Sequence, residues 1–153
     1  MEVPMSDFNP RRCRECGEGM VRPLAKAGRT TPFRNMSALA VPNTLAIPTC
    51  DHCGNEWIDP KTAEAIDEAL QGAYAEELHK RLEAALVAIA SAEITQRRLE
   101  QVLGLSLGYL SRVRAKRGDA SAQLVSTLVL IAEDPKRRLS ALDRAWQPTV
   151  TAS

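Results

Sequence analysis

Cys50-Asp51-His52-Cys53-Gly54 repeats the pattern of Cys13-Arg14-Glu15-Cys16-Gly17, and these two stretches hold all four cysteines of the chain. A Cys-x-x-Cys turn puts two thiols close enough to grip one ion. Two such turns supply the four ligands that zinc prefers in a tetrahedron, and thiolates satisfy it without redox chemistry. The expectation is one structural Zn(2+) per chain, held by Cys13, Cys16, Cys50 and Cys53. A thioredoxin-like redox motif would use one such pair at a helix start within a βαβ pattern, which is absent here. A disulfide framework expects an oxidising compartment, and the start MEVPMSDFNPRRC lacks the apolar run of a secretory signal. His52 lies inside the second pair and reads as a bystander, because the cysteines already close the shell; replacing one of them is its other conceivable role.

Outward from the two pairs, the sequence between them changes character. Prolines at 23, 32, 42 and 48 and glycines at 19 and 28 punctuate short apolar runs, among them Leu39-Ala40-Val41 and Leu45-Ala46-Ile47. Such runs predict edge-type strands with turns, and Asn43-Thr44 after Pro42 predicts a turn between two of them. Residues 1–60 are therefore expected to form a small zinc-stapled β domain with a flexible extension over 1–12. A unit of this size lacks the core to fold alone, so metal binding would supply much of its folding energy.

At Asp59-Pro60 the pattern switches. Asp caps a helix and Pro fits its first turn. Ile66, Leu70, Tyr74, Leu78, Leu82, Leu86 and Ile89 follow at roughly helical spacing. Gly72 is a candidate break between two helices. Residues 61–75 are assigned to a helical connector and 76–147 to an all-α domain, with a tail over 148–153. Glu64, Asp67, Glu68, Glu76 and Glu77 read as a solvated face. The fold class expected is α+β and multi-domain.

Within the helical part, ITQRRLEQVLGLSLGYLSRVRAKRG at residues 94–118 predicts a helix, a glycine turn and a second helix. Thr95 reads as an N-cap, Leu99, Val102 and Leu103 as an inward face, and Gly104 as the left-handed residue that ends the helix. Ser106 is read as the cap of the next helix, with Leu110 and Val113 inward. This is the pattern of DNA-binding helix-turn-helix proteins. Tyr109, Ser111, Arg112, Arg114 and Lys116 fall on the outward face. Arg112, Lys116 and Arg117 suit phosphates or guanines, and Gln96 can meet the DNA backbone. Downstream, Ser121 caps an apolar helix, and a last helix runs from Pro135 to about Trp146, with Leu139, Leu142 and Trp146 as core or dimer contacts.

Composition sharpens this division. The chain of 153 residues is 44% hydrophobic but only 4% aromatic, so its core must rest on aliphatic side chains, as in helical proteins. Its net charge of +1 hides an asymmetry, because residues 61–92 hold three basic and six acidic side chains, and residues 93–153 ten and six. A basic C-terminal third predicts an anionic partner. No apolar stretch approaches the ~20 residues of a membrane span, so a soluble, cytoplasmic protein without membrane partners is expected. An enzyme is not expected, since a four-cysteine site is closed and His52 and His79 have no catalytic spacing.

The chain resembles the MqsA/YgiT-type family, in which a zinc domain precedes a Cro/repressor-type helix-turn-helix. The resemblance rests on Cys13-x-x-Cys16-Gly17, on Val41-Pro42 and Ile47-Pro48 leading into Cys50-Asp51-His52-Cys53-Gly54, and on Ile94-Thr95-Gln96 through Gly104-Leu105-Ser106 to Leu110-Ser111-Arg112. It implies a homodimeric transcriptional repressor on a palindromic double-stranded operator, with Gln96, Leu107, Tyr109, Ser111 and Arg112 as its DNA face. In antitoxin members of toxin–antitoxin pairs the zinc domain neutralises an RNA-cleaving toxin, so the resemblance also implies a toxin or other protein partner there. The N-terminal extension and Leu107-Gly108-Tyr109 depart from the family pattern. The alternative expectation is a zinc-finger interaction adaptor whose helix-turn-helix no longer reads DNA.

Overall fold

The computed structural model describes residues 8–149. Its elements are the strands β1 (Arg11–Arg12), β2 (Met20–Ala25), β3 (Thr30–Phe33), β4 (Met36–Ala40) and β5 (Ala46–Cys50), followed by the helices α1 (Pro60–Ser91), α2 (Gln96–Val102), α3 (Tyr109–Arg114), α4 (Ala122–Glu133) and α5 (Pro135–Ala145). Small antiparallel sheets thus precede helices, an α+β arrangement. The chain groups into two compact units, Met1–Tyr74 and Ala75–Ser153. Among the described residues no helix is long and apolar enough to cross a membrane.

In the first unit, β1, β2 and β5 form a three-stranded antiparallel sheet, and β3 and β4 a separate hairpin. Asn43-Thr44 does lie in a tight turn, closed by the Leu45 N–H on the Pro42 carbonyl at 3.0 Å. It does not make a hairpin, however, because the strands on its two sides belong to different sheets. Pro23 stands opposite Pro48 in the β2–β5 ladder. The Pro48 carbonyl accepts from the Trp57 N–H at 2.8 Å, on the side away from β2. The proline pair therefore occupies a non-hydrogen-bonded position, where neither missing N–H is needed. Residues expected to be a loose extension are partly ordered. Phe8 packs against the core of Cys13, Val21 and Cys50, and Arg11–Arg12 pair with Val21 and Met20. The Arg11 guanidinium lies 4.4 Å from the Trp57 ring centroid, a cation–π contact that ties β1 to the segment beyond the second cysteine pair. Residues 1–7 of that extension, and 150–153 of the expected tail, lie outside the described residues.

The β3–β4 hairpin turns through Arg34-Asn35, with Arg34 at φ +50°. A non-glycine residue there is strained by about 1 kcal/mol. The N-terminal half of α1 holds it in place. Arg34 donates to Gln71 Oε1 at 3.1 Å and lies 5.2 Å from the Tyr74 ring centroid, and the Tyr74 hydroxyl donates to Asn35 at 2.6 Å. Phe33 meets Tyr74 edge-on at 5.7 Å.

Asp59 starts α1 as its sequence suggests, accepting the Thr62 N–H at 2.7 Å. Gly72 does not break the helix, which runs through 32 residues. A lone glycine costs a helix about 1 kcal/mol, and the buried row on either side of it, from Leu70 and Tyr74 to Ile89, outweighs that cost. In the second unit the aliphatic core comprises Leu78, Leu82, Leu86 and Ile89 of α1 with Leu99, Val102, Leu110, Val113, Val125, Leu128, Ile131 and Leu139. Thr95 caps α2 and Ser121 caps α4, each hydroxyl accepting an N–H three residues on. The last helix stops at Ala145, and Trp146 stands 77% exposed, so it is no part of this core.

Candidate metal centre and nucleic-acid face

The two cysteine pairs converge because β2 and β5 are neighbours and each pair sits at the same end of that ladder. Val21 pairs with Cys50, and the Cys13 N–H reaches back to the Gly19 carbonyl at 2.8 Å. Each pair folds into the same tight turn. Gly17 N–H returns to the Cys13 carbonyl and Gly54 N–H to the Cys50 carbonyl, at 3.1 and 3.0 Å, with φ of +69° and +73° that favour glycine. The four Sγ atoms lie within 4.8 Å of one another, so the tetrad can hold a metal ion. Cys13 and Cys53 are 3.8 Å apart and Cys16 and Cys50 3.7 Å. A tetrahedron with metal–sulfur arms of about 2.3 Å has edges of about 3.8 Å, so the spacing suits a four-thiolate ion. No other group of metal-ligating side chains clusters in this way among the described residues.

Backbone N–H groups point at the sulfurs, from Gly19 to Cys16 at 3.4 Å and from His52 and Cys53 to Cys50 at 3.4 and 3.5 Å. The Gly19 and Glu18 amides draw the Cys16 thiol down to about 6. The Asn55 N–H favours the Cys53 thiolate, but desolvation and the three neighbouring sulfurs push its thiol up to about 12. Four sulfurs this close cannot all carry charge without a cation among them, so loading a metal must release protons. His52 turns to Glu18, 3.2 Å away, and is not among the ligating group.

Two residues of this centre escaped the sequence reading. A Cβ on Gly19 would lie 2.4 Å from Cys50 Sγ and 2.7 Å from His52 Cβ, so only glycine lets the knuckles approach. Asp51 stitches them together, accepting the Met20 N–H on its carboxylate at 2.8 Å while its own N–H reaches the Met20 carbonyl at 3.1 Å. Its place in a Cys-x-x-Cys loop gave no signal of that partner.

In the second unit, α2 and α3 are joined by Leu103–Gly108, with Gly104 at φ +66°. Ser106 does not cap α3. Gly108 occupies that position, left-handed at φ +77° and with no side chain to offer. The cap comes instead from Glu100 on α2, which is only 2% exposed. Its carboxylate accepts the Gly108 and Leu110 N–H groups at 3.0 and 2.9 Å and the Gln96 amide at 3.1 Å. Burial raises the Glu100 pKa and these donors lower it; the donors prevail, leaving it below the usual carboxylate value. A glutamate inside an amphipathic helix ordinarily reads as solvated, so nothing in the local pattern flagged it.

The sequence-derived DNA candidates divide into two groups. Leu107 is 72% exposed, and Ser111, Arg112 and Arg117 are exposed, while Gln96 and Tyr109 are half-buried. Arg112 donates to Ser106 at 3.1 Å and lies 5.9 Å from the Tyr109 ring. Arg114 and Lys116 instead meet the acidic flank of α1. Arg114 forms a two-pronged pair with Glu83 at 2.9 and 3.0 Å, and Lys116 a pair with Glu76 at 2.8 Å. These partners hold the Glu83 and Glu76 carboxyls below their ordinary range. Glu76 lies on a solvated face as expected, and makes its ion pair there. Arg98 pairs with Asp143.

Comparison of the chain with models of known protein families, with curated protein sequences and with solved structures finds no match.

Proposed function

We propose that the protein is a zinc-containing, DNA-binding transcriptional repressor acting as a homodimer on a palindromic operator. The observation that carries this reading is the α2–turn–α3 pair, locked through buried Glu100, with Ser111 and Arg112 exposed on α3 and Arg117 exposed beyond its end. Two short helices joined by a glycine turn, the second offering polar and cationic side chains, suit a major groove lined by phosphates. Zn(2+) is the metal best matched to four cysteine thiolates at tetrahedral spacing. When bound, it supplies a redox-inert cross-link and no open coordination position. Cys13, Cys16, Cys50 and Cys53 hold it, Gly19 permits their approach and Asp51 fixes the second knuckle on β2. The first unit is then a rigid module for a protein partner, which the resemblance to MqsA/YgiT-type antitoxins makes a toxin. A cytoplasmic location follows from this role.

Footprinting on the chain's own upstream DNA tests the proposal. A symmetric pair of protected half-sites about one helical turn apart, or a multiple of it, is expected. Absence of protection at low salt would overturn it. One observation favours the second reading, an interaction adaptor: two of the four cationic candidates, Arg114 and Lys116, pair with acidic side chains of α1. In that case Arg112→Ala and Arg117→Ala would leave the protein's activity unchanged.

A further inference from the structure

The side-chain amide of Gln96 has both its donors spent. Its Nε2 donates to Glu100 Oε1 at 3.1 Å and to Ser111 Oγ at 2.7 Å, and its oxygen takes part in no hydrogen bond among the described residues. The orientation of an amide is fixed by its partners, and here one partner is a carboxylate that can only accept. Turning the amide over would set two oxygens against each other. Glu100 is in turn pinned by the Gly108 and Leu110 amides, so the chain of bonds has one sense. Ser111 Oγ accepts from Gln96, which leaves its own O–H free to donate.

The neighbouring pair therefore offers one acceptor, Gln96 Oε1, and one donor, the Ser111 hydroxyl. Phosphate oxygens accept only, so the Gln96 side chain has no donor left for a DNA backbone. In the major groove, adenine alone presents a donor (N6–H) beside an acceptor (N7) on one base edge, whereas guanine presents two acceptors and cytosine and thymine one polar group each. We infer that Gln96 and Ser111 together read an adenine, the glutamine accepting from N6 and the serine donating to N7, with Glu100 as the positioning residue that sets the glutamine's orientation. This rests on the DNA-binding reading above. A glutamine with a free amide could make both contacts itself, so the assignment of the N7 contact to Ser111 is the distinguishing point.

Selection of binding sites from random duplex DNA, followed by titration with 7-deazaadenine at each selected adenine, tests the inference on the full-length, zinc-loaded protein. At one adenine per half-site, loss of N7 is expected to weaken the wild type by about tenfold. At that position the base analogue should have no effect on Ser111→Ala. Glu100→Gln, whose amide can present either end, should accept more than one base there while other positions keep their preference. Helical circular dichroism of both variants excludes misfolding as the cause. Equal sensitivity of wild type and Ser111→Ala to the analogue would overturn the inference. So would a Gln96→Ala variant that weakens all sequences alike, with no loss of preference at any one base pair, which is the mark of a backbone contact. No selection of DNA by the wild type would overturn the DNA-binding reading itself, and this inference with it.

Discussion

Glu100 is the residue on which the helical unit turns. Its carboxylate takes the place of an N-cap side chain that Gly108 cannot provide, and it does so from a neighbouring helix. Glu100→Ala would leave the Gly108 and Leu110 N–H groups without their acceptor, and we expect a loss of about 2 kcal/mol in the stability of this unit, read by chemical denaturation. The sign of its pH dependence follows from its lowered pKa. The stabilisation is fully present above the unfolded value of 4.5 and is lost as pH falls through the lower folded value. Glu100→Gln should therefore flatten the acid limb of the stability profile below about pH 4.5, relative to the wild type. Unchanged acid limbs would place the charge elsewhere. At the cysteine tetrad the decisive residue carries no functional group. Gly19→Ala forces a Cβ onto Cys50 Sγ, so the variant is expected to lose stoichiometric metal by elemental analysis, whereas Arg14→Ala should not.

At the scale of elements, local signals were legible and pairing was not. Asp59, Thr95 and Ser121 each announce a helix start, because a cap is read from one side chain and the three residues after it. Ser106 carried the same signal falsely, since the turn runs two residues further and is closed by Glu100. Strands were legible as short proline-broken runs. Their division into two sheets was not, because the β2–β5 ladder joins residues far apart in sequence and Arg34-Asn35, not Asn43-Thr44, turns the hairpin. Arg114 and Lys116 read as outward cations for a similar reason: their partners Glu83 and Glu76 lie 31 and 40 residues away. Gly72 was read as a break and is helical, in open space with nothing near a would-be Cβ. Gly72→Ala is expected to raise the thermal stability of α1 by about 1 kcal/mol without altering metal content, followed by circular dichroism. A decrease would indicate that the helix needs to bend there.

Across the whole molecule, the two units draw stability from different sources. Residues 8–74 contain two small sheets and little aliphatic core around the cysteine tetrad, whereas the helices beyond bury a larger aliphatic set. Cys50→Ser, or removal of the metal by a chelator, should melt the first unit while the helical signal of the second persists. Hydrogen exchange resolves the two, and simultaneous loss of protection in both would contradict this division. The cysteine spacing was legible in the sequence because two Cys-x-x-Cys turns can supply four ligands to one ion, and the four sulfurs do converge. The charge asymmetry was legible as well, but only as a total. Which of those cations pair with Glu83 and Glu76 of α1 was not.

The central claim is that the second unit recognises DNA through α3. It is tested most directly by titrating the zinc-loaded protein against a labelled segment of its own upstream region, and against a scrambled segment of equal composition, at several salt concentrations. The account predicts binding that prefers the upstream segment, weakens steeply with salt, and loses about one unit of salt slope in Arg112→Ala if that side chain meets a phosphate. Equal, weak affinity for both segments, or none, would contradict it.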